Sequence, residues 1–268
     1  MNRLIDYDAK FREYFEKWYA ANKDKYEKPE EVEQVLPQIY ERWMEKECAP
    51  LMNINGSELV GMIGQYASAG MNVPDIVCEF IARRKNDTEA ALYELYRNNM
   101  FAQDVKVLII NMLSQMDSVL PIESFVHTVA CSGQEDEVVN ACAEALCNTG
   151  AEFLEYGVEE YSKAASVGAK ELLLHALISR YKDARLADFA IELYRESQNK
   201  AFVAAMMGET GDERCLPLLR EAAQSKDINY VDYTEICNAI EMLGGEVSRE
   251  REFEGDVYYE MMKQGVES

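Results

Sequence analysis

The 268-residue chain is short of positive charge and of histidine: Lys and Arg number 27 against 49 Asp and Glu, a net charge of −22, and there are only 2 His. So large an acidic excess opposes general affinity for nucleic acid phosphates and for anionic membrane surfaces. Two histidines leave few general bases and few metal ligands. Long apolar runs are missing too. The best, Val105 to Met116, contains Lys106 and Asn111 and is shorter than a membrane-spanning helix needs. With 6 Pro, 14 Gly and 48% hydrophobic residues, the composition describes a globular chain.

Cysteine is present but unorganised. Cys48, Cys78, Cys131, Cys142, Cys147, Cys215 and Cys237 are odd in number, scattered, and contain no Cys-x-x-Cys. They read as small core thiols in a reducing compartment, not as disulfides or structural zinc ligands. The stretch Met1 to Asp8 has no apolar core followed by a small-residue cleavage site, so the expected location is cytoplasmic.

Motifs of the common enzyme classes are also lacking. The chain has no P-loop, no Gly-x-Gly-x-x-Gly, no Gly-x-Ser-x-Gly elbow and no His-Glu-x-x-His. His127 and Cys131, four apart, are two metal ligands without a third, so no metal is expected. Glu171 and His175 have the same spacing, which suits a carboxylate-supported imidazole or a plain hydrogen bond on a helix surface. No cofactor is expected.

What is present is a repeat. From Gly56 onward apolar residues recur at helical spacing, punctuated about every 15 residues by Gly, Asp and Asn. One helix series is predicted to start near Ser57, Thr88, Val119, Ala151, Ala184 and Asp212, and a second near Val73, Asp104, Glu135, Gly168, Lys200 and Asp232. Most intervals in both series are 31 to 33 residues, with one of 28. Helix pairs this short bury their apolar faces only by stacking on neighbouring pairs. The expected fold is all-α, a right-handed α-solenoid of about six helix pairs.

Residues 200–224 carry a resemblance. Small residues in the second helix, then Gly208-Glu-Thr-Gly211-Asp212, then an apolar helix with Pro217, resemble the short HEAT repeat of the phycobilin-lyase type. Val139 to Leu154 is a looser copy. Lys17 to Lys23, Pro37 to Trp43 and Arg251 to Asp256 are similar to uncharacterised bacterial HEAT-repeat proteins. The resemblance implies a superhelical fold and, for most such arrays, an interaction scaffold. The HEAT-type deoxyhypusine hydroxylases hold iron through His-Glu pairs, and this chain has no His-Glu dipeptide. HEAT-fold DNA glycosylases need a basic concave face, which a charge of −22 opposes.

The expected organisation is an N-terminal helical cap over 1–55, an array over 56–245 and a C-terminal capping tail over 246–268. Helices are predicted at Tyr7 to Tyr19 and Val32 to Trp43, and Phe253 with Val257-Tyr258-Tyr259 is expected to dock on the last pair. Acidic residues Glu135, Asp136 and Glu137 open one second helix and complement its dipole. Five tyrosines on first helices (Tyr93, Tyr96, Tyr156, Tyr161, Tyr194) suit packing, with their hydroxyls at the surface.

Aligned on their late apolar residue, the second helices place Asn111, Glu144, His175 and Glu241 at one position. Four residues earlier stand Asn140 and Glu171, with Asn238 close to that register. In HEAT-like arrays second helices line the concave face, so these seven residues form a candidate acidic-amide stripe. The competing reading is the solvated side that every amphipathic helix has. The expected function is a non-catalytic scaffold for another protein with a basic surface, with no nucleic-acid or membrane partner. The alternative is a lyase or isomerase acting on a bulky hydrophobic ligand in the concave groove.

Overall fold

The structure is a computed structural model that describes residues 4–266 except Glu27, Asn99, Glu135 and Glu250. Every regular element among the described residues is helical. The chain divides into two units, residues 1–121 and 122–268.

In the first unit, α1 (Tyr7–Asn22), α2 (Pro29–Glu47) and the short α3 (Ala49–Asn53) precede α4 (Gly56–Ser68), α5 (Asp75–Arg83), α6 (Lys85–Tyr96) and α7 (Gln103–Gln115). Asp6 caps α1 by accepting from the Ala9 N–H at 2.8 Å, and Pro29 opens α2, where its missing N–H has no helical use. Phe11 meets Tyr40 edge-on at 4.9 Å and Trp43 at 5.1 Å, which joins α1 to α2. Both α1 and α3 pack on α5, and Tyr66 of α4 donates to the Ile5 carbonyl at 2.7 Å. The N-terminal segment therefore covers the first helix pair, burying Tyr7, Trp43, Cys48 and Leu51. Beyond it, α4 packs on α5 and α6, and α5 and α6 both pack on α7.

The second unit comprises α8 (Ile122–Ala130), α9 (Glu137–Asn148), α10 (Leu154–Ser162), α11 (Val167–Arg180), α12 (Ala184–Glu196), α13 (Lys200–Thr210), a 3₁₀ turn (Glu213–Cys215) leading into α14 (Leu216–Ala223), α15 (Tyr230–Met242) and α16 (Val257–Val266). Each helix from α4 to α15 begins within three residues of its expected place except α14, which starts four after Asp212 behind a 3₁₀ turn, and Glu135 itself lies outside the described residues. Contacts alternate: α9 packs on α11, α11 on α13 and α13 on α15, while α8 packs on α10. The approach of α13 to α15 is close because residue 208 is glycine; a Cβ there would sit 3.0 Å from the Ala239 Cα.

Hydrogen bonds spanning about one repeat recur through this unit. Ala165 N–H donates to the Ala130 carbonyl at 2.8 Å, Ala201 N–H to Asp232 at 3.1 Å and Tyr230 N–H to Asp256 at 3.0 Å. An Asp-x-Arg pair repeats at two first-helix starts. Arg185 grips Asp183 and reaches Glu155 of α10, and Arg214 grips Asp212 and reaches Asp188 of α12. Arg185 holds the Asp183 carboxyl at about 2, chiefly by hydrogen bonding to it. Asp256, just before α16, accepts from the first N–H of α15 much as Asp232, in the first turn of α15, accepts from the second N–H of α13. Phe253 and Tyr259 are buried with Tyr233 and Cys237, whereas Val257 and Tyr258, expected to dock with them, are exposed.

Three of the five first-helix tyrosines, Tyr96, Tyr161 and Tyr194, are buried. Tyr161 stacks on Phe189 at 4.6 Å. Packing is their role.

Candidate functional site

The expected stripe falls mainly on the second-helix row of the second unit. On α9, Asp136 caps the helix by accepting from the Val139 N–H at 2.9 Å. The buried side of α9 is small and apolar, with Val139, Ala141, Cys142, Ala145 and Leu146. Asn140 and Glu144, four apart, are both exposed on one side of it. Small residues let the neighbouring helix approach, and the two polar side chains stand clear of that contact.

On α11 the stripe breaks. Glu171 is buried, 8% exposed, and receives the hydroxyl of Ser197, which has no exposed surface. Ser197 ends α12, and its Oγ also accepts from the Asn199 N–H at 2.8 Å. Glu171 thus pins the α12–α13 turn and is not presented to a partner. The expected pairing with His175 gives way to this bond because the Ser197 hydroxyl is held against the carboxylate by its own turn. His175 is half-buried and packs elsewhere: Nδ1 lies 3.7 Å from Cys147 Sγ, and the ring centroid lies 5.3 Å from that of Phe202 on α13. Burial pushes the Cys147 thiol above its ordinary value.

On α15 the stripe is already occupied. Arg249, from the segment after α15, donates through Nε and Nη2 to the Glu241 carboxylate at 3.0 and 2.8 Å, and through Nη2 to the side-chain amide oxygen of Asn238 at 2.8 Å. This fork meets a carboxylate and an amide together, the arrangement that favours Arg over Lys. The guanidinium holds the Glu241 carboxyl below the usual carboxylate range. A cavity of about 270 Å³ opens beside it, with Tyr233, Cys237, Arg251 and Tyr259 in its wall. The Arg251 guanidinium lies 4.8 Å from the Phe253 ring centroid and donates to the Ala223 carbonyl at 2.9 Å.

Asn111 is exposed on α7 of the first unit. A groove of about 650 Å³ in that unit lies elsewhere, where Met71, Met100, Phe101 and Leu108 share an open wall with Asn72, Asn98 and Asp104. Of the seven sequence candidates, then, Asn238 and Glu241 are brought together by Arg249, Asn140 and Glu144 share an exposed helix side, and Glu171 is withdrawn. Sequence reasoning passed over Cys147, Ser197 and Arg249. Cys147 and His175 are 28 positions apart and Glu171 and Ser197 are 26, both short of the 31-to-33-residue period, so the period did not mark either contact.

Among the described residues no group of three or more His, Cys, Asp or Glu is placed to hold a metal ion, and no helix is long and apolar enough to cross a membrane. Comparison with protein-family models, with curated proteins and with solved structures found no match.

Proposed function

We propose that this chain is a HEAT-type α-solenoid that works in the cytoplasm as a scaffold and binds an arginine-bearing protein segment along its second-helix row. One observation carries the reading: Glu241 and Asn238 hold the guanidinium of Arg249 from the chain's own tail. That contact is an internal example of the recognition a basic partner would receive from Asn140 and Glu144 one end of the row away. The alternating helix contacts and the one-repeat hydrogen bonds support the solenoid, and a net charge of −22 favours encounter with a basic partner. All seven cysteines are free thiols, which suits a reducing compartment.

The test uses the full chain with labelled oligo-arginine, oligo-lysine and oligo-glutamate peptides. Oligo-arginine is expected to bind more tightly than oligo-lysine, oligo-glutamate not at all, and binding is expected to weaken with salt. Asn140→Ala combined with Glu144→Gln should weaken oligo-arginine binding with the melt unchanged. Equal affinity for variant and wild type at low and high salt would remove the row as the binding surface. A compact particle in solution scattering would remove the solenoid.

A further inference from the structure

A different surface carries chemistry of its own. Six of the seven cysteines are buried or half-buried, and only Cys131 is exposed. It follows the last turn of α8, where its N–H donates to the His127 carbonyl at 3.0 Å. Its Sγ lies 3.6 Å from His127 Nε2 and 3.7 Å from Nδ1, so the sulfur rests against the imidazole. The ring also reaches α10: Nδ1 is 3.5 Å from the carboxylate of Glu160, a residue only 8% exposed. Glu160 in turn receives Lys163 at 3.0 Å. The loop that carries Cys131 is tied to the α10–α11 turn by Ala165 N–H on the Ala130 carbonyl and by Ser166 Oγ on the Ser132 carbonyl at 2.9 Å. An accessible thiol, a proton acceptor in contact with it and an anchored ring are thus held together on three segments of the second unit.

We infer that Cys131 is a modification site that forms mixed disulfides with small-molecule or protein disulfides, with His127 as the group that accepts the thiol proton. Cys131 Sγ attacks one sulfur of the disulfide. The bond from Cys131 to that sulfur forms as the disulfide's own S–S bond breaks, and the second sulfur leaves as a thiolate. The proton given up to His127 passes to that leaving thiolate, so one thiol and one disulfide yield one mixed disulfide and one new thiol, with no further oxidant. Exposure admits the bulky reagent, and the imidazole beside the sulfur supplies the base that a lone surface cysteine lacks. Cys147 also touches a histidine, yet burial raises its thiol and screens it, as burial raises Cys48 and Cys78 to about 11. This inference does not depend on the scaffold reading.

The test follows adduct formation by the native full chain with oxidised glutathione and with an aromatic disulfide, located by peptide mass spectrometry. One adduct, at Cys131, is expected first, and Cys131→Ser should abolish it. His127→Gln should slow adduct formation about fivefold, the factor for losing the imidazolium charge that forms beside the thiolate once the proton has moved, in water-like surroundings. His175→Gln should leave the Cys131 rate unchanged. Rates measured in urea, where all seven thiols are exposed, should be the same for wild type and His127→Gln, which separates the native pairing from a folding defect. First reaction at another cysteine, or equal native rates for wild type and His127→Gln, overturns the inference.

Discussion

Ser197→Ala is the sharpest test of why Glu171 is withdrawn from the exposed row. The hydroxyl removed does two things: it donates to the Glu171 carboxylate and accepts from the Asn199 N–H. Both Ser197 and Glu171 are buried, so water does not readily replace what is lost. A hydrogen bond to a buried charged group is worth about 1.5–3 kcal/mol, and a backbone N–H left without its acceptor adds about 1 kcal/mol. The expected loss is roughly 2.5–4 kcal/mol in urea unfolding at pH 7, with the slope unchanged. Glu144→Gln, on the exposed side of α9, should stay within about 0.5 kcal/mol of wild type. A double-mutant cycle adds specificity. In the background Glu171→Met, which leaves no charge to satisfy, Ser197→Ala should cost less than in wild type by about 1 kcal/mol or more. A loss under about 0.5 kcal/mol for Ser197→Ala, or strict additivity in the cycle, would refute the Ser197–Glu171 bond as what holds the α12–α13 turn.

Two further outcomes follow from contacts at the ends of the chain. Arg249 lowers the Glu241 carboxyl pKa, so the pair's contribution to stability is complete above the ordinary carboxylate value of about 4 and is lost as the pH falls through the lowered value. Arg249→Ala should therefore return Glu241 to the ordinary range in an NMR titration, and its difference in Tm from wild type should close in acid; an unmoved Glu241 titration would refute the clamp. Deleting residues 1–50 removes α1, α2 and the start of α3, uncovers α5 and strips Tyr66 of its Ile5 acceptor. Aggregation or loss of a cooperative melt is expected, and a soluble truncation with an unchanged melt would show that these helices are an independent appendage.

The sequence by itself determined what depends on neighbours along the chain. Helix positions from α4 to α15 follow from apolar spacing within a dozen residues and from local caps such as Asp136, Ser166 and Asn229, so they were legible to within a few residues. The burial of Phe253 and Tyr259 was legible too, because they are large apolar residues in a charged segment, but which residues of the run Val257-Tyr258-Tyr259 stay exposed was decided by packing. Pro29 and its place at the first turn of α2 were readable but passed over, and the five-residue α3 gave too short a pattern to register. The side-chain pairings belong to the tertiary structure. Asn140, Glu144, Glu171 and His175 share one helical register, yet two are exposed, one is half-buried and one is sealed under Ser197. Helical periodicity states which residues share a face, but a neighbour one repeat away decides whether that face meets water or another helix. The same holds for Arg249 on Glu241 and for His175 on Cys147, which nothing local favours until packing brings the segments together, whereas His127 and Cys131 are neighbours four apart that the sequence already paired.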